Sequence, residues 1–500
     1  MAIQPVYESI RLNQKEKISP IKIKLDCKTE IPSDTTAKVL DVSVFTGYPQ
    51  VSVNGGKMEI FGRAIFNVIY VNVDGATVKT ECYQEYSFET DVKDSICGVT
   101  ADIEVEKTDF DLAGTKLLLS AYLCAHPKVF CDKEIAYLSS GENAIVELTE
   151  KTYSKSYGVR QGVFPVEEEF ELDYEIAEVL SQKASAVITS VQCGVGCVII
   201  DGEATVSALL LQNVEKSDII KESKVLPFRV ELEYEEAMPA FLAVANCNQK
   251  SLKSDVSVDP EKGNSVVAVN LSLSFEAEVF SEESVSLVKD AFSLTEITET
   301  ENGECEYFVP LEVRSCKAKL MGRANAEIPV DCTITAVGGE KVEITEIVPE
   351  PDGLKIIGVL SVKAYLKDSE GKVGTQVLEA PFEEKLECVV CDGGDISLKV
   401  IVYDGQARII TPSEVEITAV LSANAYFSQK RTIKYVKNLK AIREKEVCTS
   451  AISVYIPMEG EELWSLSKRL NVSPETLIQT NKDLNFPLTG KERIVIYRQK

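Results

Sequence analysis

The sequence predicts a mostly β protein: three tandem β-rich repeat domains, of sandwich or barrel type, followed by a small βααβ module. Three observations lead there. A glycine-led strand occurs three times, at 62–70, 202–210 and 358–366. In every copy the second, fourth, sixth and eighth residues after the glycine are apolar, beginning with Ala64, Ala204 and Leu360. A longer alternating strand follows each copy, starting at Leu117, Val267 and Val415, so the copies lie 150 and then 148 residues apart. Strict period two over many residues means an extended strand with one buried face. A spacing of this size makes each copy domain-sized, unlike a solenoid with its period of about 20–50 residues. The third observation is the final stretch, 451–500, where the period changes to that of a short helix.

Taken in order, the chain divides into an N-terminal segment 1–30, β-rich repeats at 31–150, 173–300 and 317–447, and a C-terminal module 451–500. The polar stretches 151–158 and 298–304 and the basic run Lys437 to Lys445 fall between these units and are expected to be linkers, the last of them a solvated linker helix. Residues 281–291 are expected to form one short helix capped by Ser281.

Composition narrows the function. Five hundred residues exceed a single core and imply several domains. Apolar residues at 45% and charged residues at 26% describe a folded chain, not a disordered one. The formal net charge is −26, and it resides before residue 451, since the tail holds seven Lys/Arg against six Asp/Glu. Such a body repels nucleic acid and anionic lipid, both of which require neutralising Lys and Arg. Met1–Ile10 lacks the charged-then-apolar pattern of an export signal, and no apolar run approaches a membrane helix, so a cytoplasmic location is expected. In a reducing compartment the 14 cysteines read as small buried apolar residues and not as a disulfide framework.

A search for chemistry finds no catalytic residue, no cofactor motif and no metal site. His126 is the single histidine and stands on the polar face of a strand, where the other copies have Glu276 and Asn424. Nothing in sequence nominates a nucleophile or carboxylate to act with it. The pairs Cys193/Cys197 and Cys388/Cys391 each lack the second half of a four-ligand zinc site. No phosphate-cradling glycine loop is present. The carboxylates of 167–173 interleave with apolar strand positions, as on a solvated face.

In the tail, Leu463, Leu466, Ser467 and Leu470 fall on one helix face, with Glu461 and Glu462 at its start and Lys468 and Arg469 near its end, each charge matching the helix dipole. Ser473 followed by Pro474 opens a second short helix. Apolar strand-like runs flank the pair. With Gly460, Leu463, Trp464, Leu477 and Asn481 in place, this module resembles the LysM fold. It departs at Glu461, where Asp is usual, and at Thr489, where Pro is usual before Gly490, and its last strand is slightly displaced. The resemblance implies a groove for N-acetylglucosamine-containing glycan between two loops, 459–463 (Glu459, Gly460, Glu461, Glu462, Leu463) and 484–488 (Leu484, Asn485, Phe486, Pro487, Leu488). Trp464, Leu477 and Asn481 would then belong to the module's core.

Acidic β repeats ending in a single LysM module are similar to the SPOCS-repeat proteins of endospore-forming bacteria. That likeness implies a non-enzymatic morphogenesis factor in the mother-cell cytoplasm. It would be recruited to the forespore surface by docking on the spore coat-scaffolding ATPase, with LysM serving as the docking module. Peptidoglycan is the rival target, disfavoured by the negative charge of Glu459, Glu461 and Glu462 beside a ligand that itself carries carboxylates.

Overall fold

The period-two signal becomes very long strands. The computed structural model describes residues 3–31, 38–92, 96–212, 218–258, 264–387, 394–446 and 452–497. The first part of the chain forms β1 (Gln4–Lys17), β2 (Ile21–Glu30), β3 (Lys38–Phe45), β4 (Gln50–Asn54), β5 (Lys57–Val71), β6 (Thr77–Asp91), β7 (Ile96–Ala113) and β8 (Lys116–Glu142). Next come β9 (Ile145–Glu171), β10 (Ile176–Cys193), β11 (Cys197–Gln212), β12 (Ile219–Glu233), β13 (Leu242–Val258) and β14 (Ser265–Phe292). Then follow β15 (Glu296–Asn325), β16 (Thr333–Glu350), β17 (Gly353–Lys367), β18 (Val373–Glu387), β19 (Asp395–Thr411) and β20 (Glu414–Glu444). The tail contributes β21 (Ile452–Tyr455), α1 (Leu463–Leu470), α2 (Pro474–Thr480) and β22 (Ile494–Tyr497).

One strand order occurs three times. In the second stretch β10-β11-β12 form one sheet and β13-β14-β9 another; in the third, β16-β17-β18 and β15-β20-β19 do the same. The first stretch keeps this plan with β3-β5-β4 plus β6 on β5, facing β1-β8-β2 plus β7 on β8. Each pair of sheets encloses its own apolar core. The alternation read from sequence points into these cores: Ala64, Phe66 and Val68, Ala204, Val206 and Ala208, and Leu360, Val362 and Ala364 are all buried. The leading glycine has a steric reason. Gly62, Gly202 and Gly358 lie opposite Tyr86, Phe228 and Phe382 on the neighbouring strand. A Cβ at any of the three would strike that ring, so glycine lets an aromatic side chain lie flat across the strand.

Three expectations need correction. The 281–291 stretch is not a helix but the end of β14, paired with β9. Its Val285 and Leu287 alternate with polar residues and go into an apolar cluster. The stretches 151–158 and 298–304 lie in β9 and β15, and Lys437–Glu444 lies in β20. The last two are partners: Glu299 stands opposite Lys440, and Lys437 and Lys440 both reach Glu301. Charge that reads as solvated linker in isolation is a cross-strand ion pair once the strands meet. Residues of 1–30 are also strand, β1 and β2 both pairing with β8.

The outer halves of β1/β8, β9/β14 and β15/β20 form three ribbons. They pack together on Leu12, Ile135, Tyr137, Tyr153, Leu287, Tyr307 and Ile433, and farther along on Leu138, Val288, Val436 and Leu439. The inner sheets meet on the same pattern, with Leu40 and Ile69, Leu180 and Leu209, and Ala336 and Tyr365 joined in a single cluster. Polar contacts tie each unit to the next around this junction. Lys79 Nζ donates to Val179 O at 2.8 Å and Asn67 Nδ2 to Leu180 O at 2.9 Å. Lys221 pairs with Glu340 and its Nζ donates to Gly405 O at 3.4 Å. Thr375 Oγ1 donates to Leu40 O at 2.8 Å, and Lys363 pairs with Asp41. Lys79, Lys221 and Thr375 stand opposite Ile69, Leu209 and Tyr365 in their ladders. First unit holds second, second holds third, and third returns to first. The ring is closed.

Candidate functional site

The tail folds as strand, helix, helix, strand, with β21 and β22 antiparallel. Ser473 caps α2 by accepting from Thr476 N at 3.1 Å, with Pro474 at the first helical position. The α1 face forms as the apolar spacing requires: Leu466 and Ser467 are buried, and Leu463 and Leu470 pack partly against the same core. Leu466, Val472, Leu477, Leu488, Ile494 and Ile496 fill that core. Asn481 is bound on three sides. Its Nδ2 donates to Leu477 O at 3.0 Å and to Val495 O at 2.8 Å, while its Oδ1 accepts from Val495 N at 2.7 Å. An amide with both donor and acceptor is what ties α2 to the edge of β22.

Trp464 is expected in this core and is not there. It lies half-buried on the opposite side of α1, edge-on to Phe292 with ring centroids 5.2 Å apart. Its Nε1 donates to Asp290 Oδ2 at 2.8 Å. Lys468 Nζ donates to both oxygens of the same carboxylate, at 2.8 and 2.7 Å. Asn471 Nδ2 donates to Leu294 O at 2.7 Å and its Oδ1 accepts from Lys445 Nζ at 2.6 Å. Positions 464, 468 and 471 are spaced as one helical stripe. That stripe seats the module on the tip of the β9/β14 ribbon.

The two expected groove loops do come together. Gly460 N donates to Leu488 O at 2.8 Å and Leu488 N to Glu461 O at 3.0 Å, and Glu459 bridges Thr489. Gly460 has φ +80, in the left-handed region open to glycine. Leu488 is buried and Leu484 and Phe486 are half-buried against the module core, so this apolar loop is largely tucked inward. Glu459, Glu462, Asn485 and Pro487 are exposed. Glu461 is not a free charge: it pairs with Arg469 and accepts from Met458 N at 3.0 Å.

Sequence reasoning missed an exposed apolar row in the tail. Ile452, Val454, Ile456 and Met458 are 60%, 62%, 66% and 66% exposed, and Tyr497, opposite Ile452, is 58% exposed. The intervening Tyr455 and Pro457 turn inward. The signal is a plain alternation of large apolar residues in a run read only as strand-like. Covering one such side chain fully is worth about 1.5–3 kcal/mol, so a row of them open to water marks a surface suited to a partner.

A second candidate is an axial cavity of about 1710 Å³ lined by all three units. At one wall Lys399 Nζ donates to Asn246 Oδ1 at 2.8 Å, to Asn248 Oδ1 at 2.5 Å and to Cys247 O. Asn248 Nδ2 donates to Asp102 Oδ1 at 3.0 Å, and Lys128 Nζ to Asp102 Oδ2 at 2.6 Å. Burial lowers the Lys399 ammonium. Burial also works against ionised Asp102, yet Lys128 and Lys399 outweigh it and hold the carboxyl below its ordinary range. Glu276 is raised by burial and accepts from Tyr48. Carboxyls pushed apart in this way are found at acid–base sites. Here most of the polar links cross from one unit to another, which accounts for the network as a junction between domains. His126 faces the same space, partly exposed, with Nε2 3.3 Å from Glu104 Oε2.

Cys193 and Cys197 are half-buried beside the turn joining β10 to β11; Cys388 and Cys391 lie outside the described residues. Among the described residues no cluster of three or more His, Cys, Asp or Glu could hold a metal ion, and no helix is long and apolar enough to cross a membrane. No protein-family model, curated protein or solved structure matches the chain.

Proposed function

We propose that the chain is a non-enzymatic assembly protein, a SipL-like spore coat and cortex morphogenesis adaptor. In this reading the units at 31–150, 173–300 and 317–447 are three copies of a SPOCS-like β domain, and 451–500 is a LysM module. The module docks on the spore coat-scaffolding ATPase at the forespore surface, from the mother-cell cytoplasm. The observation that carries the reading is the exposed row Ile452, Val454, Ile456 and Met458 on the face of the tail turned away from its own core. A recognition element held on a large β body suits an adaptor. The fixed seat of Trp464 leaves that row pointing outward.

The test is co-purification from sporulating cells with the full chain and with a Val454→Asp/Ile456→Asp double variant. Both positions are exposed, so stability should change by about 0.5 kcal/mol or less per site, while retention of the coat ATPase is lost. Unchanged retention would move recognition to the β body. One observation favours the alternative, peptidoglycan or another N-acetylglucosamine glycan. Arg469 neutralises Glu461, which removes one of the three carboxylates set against a sugar ligand. Retention on peptidoglycan that survives the double variant but falls on changing Asn485 and Pro487 would establish it.

A further inference from the structure

We propose that Cys27 and Cys82 are a disulfide-forming pair that staples the two sheets of the first unit when the chain meets a small-molecule disulfide. Cys27 is on β2 and Cys82 on β6, strands of opposite sheets. Their sulfurs are 3.1 Å apart, in direct contact. A bonded pair sits at about 2.05 Å, so closure asks for a movement of about 1 Å within one unit's core. The two residues are 55 apart in sequence, and a cross-link would close a long loop between two sheets held together mainly by their shared apolar core.

Their exposures differ in a useful way. Cys27 is buried and Cys82 is half-exposed, so an external reagent meets Cys82 first. The Cys82 thiolate attacks one sulfur of the reagent, whose S–S bond breaks, and one half leaves with the Cys82 proton as a free thiol. The Cys27 thiolate then attacks the Cys82 sulfur. The mixed disulfide breaks and the second half leaves with the Cys27 proton. Two protein thiols become one disulfide and the reagent is reduced to two thiols. Burial, with Cys27 beside it, pushes the Cys82 thiol up to about 12. This slows the first attack, and in a reducing compartment excess free thiol reverses the exchange and keeps the staple open.

The experiment incubates the folded full chain with oxidised glutathione and maps peptides under non-reducing conditions. A Cys27–Cys82 cross-linked peptide is expected, lost on reduction, together with a rise of roughly 5 °C in the midpoint of thermal unfolding. Cys82→Ser and Cys27→Ser should each abolish both signals, while Cys124→Ser leaves them. The proposal is overturned if Cys82 carries glutathione while Cys27 stays free. It is equally overturned if both thiols remain unreacted in a folded chain whose denatured form reacts.

Discussion

One carboxylate lies at the centre of the seat between tail and body. Asp290 accepts from Trp464, from Lys468 on both oxygens, and from Ala291 N at 2.8 Å. Burial opposes its charge, but Lys468 and Trp464 more than compensate and hold its carboxyl below the usual range. Removing it leaves an indole N–H and an ammonium without their acceptor, at a cost of about 1–3 kcal/mol. Because Trp464 is the chain's single tryptophan, its fluorescence reports this seat alone. Asp290→Ala should shift the emission to the red while the module's own core stays folded. An unchanged spectrum would mean that the seat is held by Phe292 packing. A carboxyl lowered in the folded state stabilises the docked tail above its unfolded value of about 4 and loses that contribution as pH falls through the folded value. The same red shift should therefore appear in the wild-type chain only below about pH 4. Trp464 was assigned to the core because it follows Leu463 in a recognised pattern. Its real partner is 174 residues away, and no local spacing contains that information.

At the level of elements, alternation was readable wherever one face of a strand enters a sandwich core. Gly62, Gly202 and Gly358 were visible as a repeated mark, although the ring that each accommodates is on another strand. The ribbons were not readable. Each has one apolar face and one charged face, and the charged residues dominate a short window. Thus Ser-Glu-Glu-Ser at 281–284 looked like a capped helix, and Lys437 to Lys445 like a linker. The strand assignment makes a definite prediction for Leu287, which is fully buried among Leu12, Tyr137 and Tyr307. Leu287→Ala should cost about 2–5 kcal/mol through lost burial and the void left behind. On an isolated solvated helix the same change would be nearly neutral. Urea unfolding separates the two outcomes, since the midpoint moves in one case and stays in the other.

For the whole molecule, the consequence of three like units is closure. Two of the three junctions join units that follow one another in the chain, and chain connectivity keeps them near. The third, between the last unit and the first, depends on side chains alone. There Lys363 pairs with Asp41, Tyr365 Oη donates to Asp41 Oδ2 at 3.1 Å, and Thr375 holds Leu40 O. Asp41 is 8% exposed. Asp41→Ala would leave a partly exposed ammonium and a buried hydroxyl without their acceptor, a loss of about 1–3 kcal/mol. Replacing the pair together, as Asp41→Leu/Lys363→Met, removes the stranded charge and should recover most of that loss. A strand pattern recurring at intervals of 150 and 148 residues is legible in the sequence, but a row and a ring would share that pattern. The difference lies in contacts more than 300 residues apart, such as the 322 between Asp41 and Lys363. Small-angle scattering distinguishes the two arrangements directly. Asp41→Ala should raise the radius of gyration toward that of an opened row while circular dichroism keeps its β signal. The double variant should scatter like wild type. If Asp41→Ala stays compact, the apolar clusters around Ile69, Leu209 and Tyr365 and between the ribbons close the ring without the ion pair.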